Sequence, residues 1–117
     1  MESGENINET AEFGGGFAGK SGELHLKKRQ SNGEYLELNE EQYTARALNL
    51  LQKEVGGGIM GYKTNSGKVV RWNTANDDYA TGISGVKIKT LFPLVGGEQR
   101  FNALRERDER EGGLAYE

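Results

Sequence analysis

A chain of 117 residues, 34% hydrophobic and with 18 glycines, has the length of one domain with a modest core and some residues left over for loops or tails. Lacking cysteine, it has neither disulfides nor a cysteine-ligated metal to staple it; no apolar run approaches the ~20 residues of a membrane span, and no signal peptide opens the chain, so a soluble protein is expected. The net charge of −3 speaks against a uniformly basic nucleic-acid binder, but the charge is unevenly spread.

Residues 1–19 carry Glu2, Glu5, Glu9 and Glu12, no base and a glycine cluster. They read as a flexible acidic lead-in, the composition of a linker to a larger protein. Residues 20–104 carry 12 Lys/Arg against 9 Asp/Glu, which leaves +3. They read as the domain proper, basic enough to permit phosphate contact without demanding it. Residues 105–117, with 3 Arg against 5 acids, read as a charged C-terminal tail.

In SGELHLKKRQSN, Leu24 and Leu26 alternate as in a strand, while Glu23 and Lys27 stand at the i, i+4 spacing of a helix; a short helix is expected. The clearest element follows in LNEEQYTARALNLLQKEVGGG. Asn39 and Gln42 form a capping box, Leu38 and Tyr43 occupy the staple positions, and Tyr43, Ala47, Leu50 and Leu51 keep one apolar stripe. With Gly56 as a stop, a helix over 40–55 is expected. Strand-like runs then alternate with turn chemistry: 58–62, 68–73, 79–82 and 86–92. In the last run, strict alternation puts Val86, Ile88, Thr90 and Phe92 on one face and Lys87, Lys89 and Leu91 on the other. Pro93 closes it, and a short charged helix with Phe101 and Leu104 docking at i, i+3 completes the chain. The expected architecture is α+β: N-terminal helices packed on a small, mainly antiparallel four-stranded sheet, with a short C-terminal helix.

Several residues have the chemistry to act on a phosphodiester. His25 is the one histidine, and the neighbouring bases lower its pKa, which suits a general base. A surface histidine without a role fits the same position. With no second histidine or cysteine, neither a metal nor another cofactor is expected. Lys27, Lys28 and Arg29 could hold a phosphate or stabilise a phosphorane, or form an ordinary solvated helix face. Arg71 interrupts VVRW, where a partly buried strand leaves a cation in need of a partner or an anionic ligand; the solvent side of an edge strand would also accommodate it. The Thr90 hydroxyl could bind a phosphate oxygen, although β-propensity alone accounts for a threonine there. Trp72, Tyr35, Tyr62 and Tyr79 are candidates to stack on bases, or are core residues.

The order of these features carries more than any one of them. His25 and Lys28 come first, then Tyr43, Ala47, Leu50 and Leu51 on a helix. Arg71, Trp72 and Asn73 follow on a strand, then Asn76, Asp77 and Tyr79 in a hairpin, and Gly85, Ile88, Thr90, Phe92 and Pro93 on the last strand. Over roughly residues 22–104 this line resembles the barnase/EndoU/colicin/RelE-like superfamily of small ribonucleases. It looks most like the colicin D-like toxin domains of contact-dependent growth inhibition and other polymorphic toxin systems.

The resemblance implies metal-independent cleavage of RNA, most often a transfer RNA, by 2′-OH attack that leaves a cyclic phosphate. In that reading His25 is general acid or base, Lys28 and Arg71 stabilise charge, and Thr90 positions the phosphate. Lys27, Arg29, Trp72, Asn73 and Lys89 bind substrate. It also implies delivery into a target bacterium's cytoplasm as part of a larger effector, and a cognate immunity protein. One departure stands out. Many relatives carry a second histidine where this chain has Arg29. A non-catalytic RNA- or protein-binding module is the competing expectation.

Overall fold

The computed structural model describes residues 16–17 and 21–115. Among the described residues three helices and five strands run in the order α1 (Ser21–Ser31), α2 (Glu40–Leu51), β1 (Ile59–Thr64), β2 (Lys68–Asn73), β3 (Asp78–Ile83), β4 (Lys87–Pro93), α3 (Gly97–Gly112) and β5 (Leu114–Ala115). The fold is α+β, with one antiparallel sheet ordered β4-β3-β2-β1-β5. Among the described residues no helix is long and apolar enough to cross a membrane.

The sheet has five strands rather than four. The chain turns back after α3, and Leu114 and Ala115 pair with Thr64 and Lys63 on β1. α3 is also longer than the short helix expected, because Phe101, Leu104 and Asp108 continue one buried stripe through three turns. Its stop is Gly113, whose φ of 81° a side chain would strain. What read as a charged tail is therefore largely helix and strand.

α2 forms for the reasons its sequence gives. The Asn39 side chain accepts from the Gln42 amide and the Gln42 side chain accepts from the Asn39 amide, closing the capping box. Tyr43, Ala47, Leu50 and Leu51 are buried, and each leucine contributes about 1.5–3 kcal/mol by leaving water. The helix ends at Leu51, four residues short of the expected 55. Past that point the Lys53 carbonyl turns instead to the Arg71 guanidinium, 2.8 Å away.

α1 is a helix, as its ion-pair spacing predicted. Among its residues Gly22 and Leu26 are buried, and Leu24 is exposed. Gln30 holds the following loop by donating to the carbonyls of Tyr35 and Leu38.

Both sheet faces are covered. α1 and α2 lie over Val69, Ala80, Ile88 and Leu91, while α3 lies over Tyr62, Val70, Trp72 and Tyr79. Strict alternation fails on β4. Thr81 pairs with Thr90 but Gly82 pairs with Ile88, so Lys89 is an extra residue, a bulge. The phase flips there. Ile88 and Leu91 both face α1 and α2, and Thr90 and Phe92 turn to the α3 side instead of sharing a face with Ile88. Gly16 and Phe17, expected to belong to a flexible lead-in, dock on β4: the Gly16 carbonyl accepts from the Ile88 amide, and Phe17 stacks on Tyr43. The rest of that lead-in lies outside the described residues.

Candidate nucleic-acid interface

The bulge delivers Lys89 and Thr90 to a cleft of about 300 Å³ between the sheet and α3. Lys68 from β2, Tyr79 and Thr81 from β3, Phe92 from β4, and Arg100, Leu104 and Arg107 from α3 complete its walls. Strand alternation sets Lys68 on the same face as Val70 and Trp72. On α3, the i, i+4, i+7 spacing sets Arg100 and Arg107 in line with Leu104. Thr81 and Thr90 meet across the β3–β4 pair with their hydroxyls 2.7 Å apart.

Four cations gather here. Two of them meet Asp108, 4% exposed, which receives Lys68 Nζ at 3.1 Å on both oxygens and Arg107 at 3.3 Å. Tyr62 donates to it as well, at 2.5 Å. Burial acts to raise the Asp108 pKa, but the Tyr62 and Lys68 hydrogen bonds and the charges of Lys68 and Arg107 outweigh it, so the group stays below its ordinary value of 3.8. Lys89 and Arg100 have no carboxylate partner among the described residues. Burial raises the Tyr79 pKa, which keeps its hydroxyl a donor. The arrangement can receive an oxyanion: ammonium and guanidinium donors around a floor of hydroxyls, with the Phe92 ring at one side.

The residues singled out in the sequence divide into separate groups. Thr90 and Lys89 line the cleft, and Arg29 reaches its rim, its guanidinium 5.7 Å from the centre of the Phe92 ring and 3.4 Å from Glu34.

The resemblance gave Arg71 and Thr90 roles at one phosphate. β3 separates their strands, and the two side chains point to opposite faces of the sheet. Arg71 belongs with Val69 and Ala80 beneath α2, 4% exposed, donating to the carbonyls of Lys53 and Val70. Its guanidinium lies across Gly61, where a Cβ would come within 2.8 Å of it.

His25 is half-buried on α1 against Phe17, with ring centres 5.3 Å apart, and lines neither the cleft nor the cavity beside α2. Its pKa is lowered as expected, though burial is the larger cause and Arg29 and Lys28 add to it. Lys28 and Lys27 are exposed on the same helix, and Lys27 is 3.7 Å from Glu23 in a solvated pair worth little. Trp72 is 4% exposed and stacks on Phe101, so it offers no face to a base, and its indole N–H has no partner among the described residues. Asn73 lies at the α2 cavity.

Sequence reasoning passed over Lys68, Thr81, Arg100 and Arg107 as site residues. The signals were present: Lys68 heads an alternating strand, and Arg100 and Arg107 bracket Leu104 at helical spacing. No family model, no curated protein and no solved structure matches the chain.

Proposed function

We propose that the protein is a metal-independent endoribonuclease that grips RNA in the cleft between β3, β4 and α3. The observation that carries this reading is the convergence of Lys68, Lys89, Arg100 and Arg107 on the paired hydroxyls of Thr81 and Thr90. Phosphates supply most of the affinity in RNA binding, and the same donors stabilise the charge that grows when the 2′-oxygen attacks phosphorus. In that step the O2′–P bond forms and the P–O5′ bond breaks, while the 2′-OH proton passes to water and water returns one to the departing 5′-oxygen.

The order of motifs along the chain extends the proposal to a toxin that cuts a transfer RNA inside a target bacterium. Its immunity protein would be acidic where it covers the cleft, and would associate quickly through charge steering. One observation favours a second reading, a non-catalytic RNA-binding module: among the described residues no imidazole or carboxylate lines the cleft to accept the 2′-OH proton.

The test is to incubate the full chain with bacterial RNA in the presence of a chelator, measuring retention and fragment pattern together. Bound RNA with discrete cuts is expected, and growth arrest on expression in a bacterial cytoplasm. Lys89→Glu with Arg100→Glu should weaken retention at least ~10-fold, about 1.4 kcal/mol. Bound but intact RNA selects the second reading. Retention indifferent to both substitutions overturns the cleft as the interface.

A further inference from the structure

A second cavity, about 430 Å³, opens on the other face of the sheet, where α2 passes over the β2–β3 hairpin. Gln42, Arg46 and Asn49 reach it from α2, Lys53 from just past the end of that helix, and Asn73 and Asn76 from the hairpin, with Leu50 and Ala45 as apolar wall. Three of the four amide oxygens on its walls are already taken, the exception being Asn49. Gln42 Oε1 accepts from the Asn39 amide, Asn73 Oδ1 from the Ala75 amide and Asn76 Oδ1 from the Asp78 amide.

Those bonds fix which way each carboxamide points, so all three present NH₂ groups as their remaining polar function. The carboxylate on the wall, Asp78, is 4% exposed and also occupied, by Arg46 Nε and Nη2 and by the Tyr35 hydroxyl. The cavity therefore offers mostly donors, amide and cationic, with the Asn49 carboxamide free to turn either its NH₂ or its oxygen inward. Its volume falls in the range of small-molecule sites.

We infer that this cavity binds a small oxyanion-bearing molecule, a phosphate ester or a carboxylate, held by Lys53, Arg46 and the NH₂ groups of Asn73 and Asn76. The inference does not depend on the cleft.

The experiment is a titration of the full chain with inorganic phosphate, citrate and adenosine monophosphate, following the side-chain amide resonances of Asn73 and Asn76. Asn73→Asp with Asn76→Asp is the diagnostic variant. Each aspartate keeps the oxygen that caps the turn while replacing a donor by a negative charge. Saturable shifts at millimolar or lower concentration are expected with at least one probe, and a loss of at least ~10-fold in affinity in a variant whose backbone spectrum is otherwise unchanged. A response to phosphate and the nucleotide but not to citrate assigns the ligand as a phosphate ester; the reverse assigns a carboxylate. No saturable shift with any probe, equal affinity in the variant, or shifts confined to Lys68 and Lys89 overturns the inference.

Discussion

At position 71 the sheet buries a guanidinium whose Nε and Nη1 end on the carbonyls of Lys53 and Val70, at 2.8 and 2.9 Å. Arg71→Ala should cost about 2–3 kcal/mol in denaturant unfolding, because charged donors leave buried acceptors behind. RNA affinity per folded molecule should be unchanged, which separates a structural arginine from one that touches substrate. His25 allows a second prediction. Its folded pKa lies below the ordinary 6.5, so the unfolded chain takes up the proton first as the solution is acidified. The contribution is present above 6.5 and is lost as the pH falls towards the folded value. Stability of the native chain should decline as the pH falls through 6.5 towards the lower folded pKa, and His25→Gln should flatten that slope in thermal melts at stepped pH. The sequence marked Arg71 as a cation in need of a partner. It could not foresee that the Lys53 carbonyl is one of them, because that group is 18 residues away and depends on where α2 stops.

Among the elements, α2 was the most legible. Its cap, its stripe and its buried residues all follow from local rules that need no tertiary partner. β4 was the least legible, since a single extra residue at Lys89 exchanges the faces of everything before and after it. No local pattern in VKIKTLF marks the bulge, which is set by pairing with Thr81 and Gly82 on β3. That one shift accounts for most of the difference between the expected site and the observed cleft. α3 owes its seat to Asp108. Asp108→Ala would strand the Tyr62 hydroxyl and the Lys68 ammonium, and should cost about 3 kcal/mol in unfolding free energy. Hydrogen exchange should show the last two turns of α3 opening before the sheet does. Uniform loss of protection across sheet and helix would instead mean that Asp108 supports the whole core.

Taken whole, the molecule is a sheet covered on both faces, with a polar opening on each: cations and hydroxyls beneath α3, amides and two cations beneath α2. Composition and order made the α+β class and the helix–strand succession legible. They did not reveal that helices occupy both faces, because the charged C-terminal segment reads as a tail until Phe101, Leu104 and Asp108 are seen as one stripe. The carbonyl of Gly16, meanwhile, occupies the outer rail of β4 at Ile88. A chain shortened to begin at Ser21 would bare that rail and uncover the Tyr43 and His25 rings that rest on Phe17. Bare rails recruit strands from other molecules. At equal concentration the shortened chain should scatter light with a higher apparent mass than the full one, and adding back a peptide of the first 20 residues should lower it. The short segment around Phe17 would then be what keeps neighbouring copies of this protein apart.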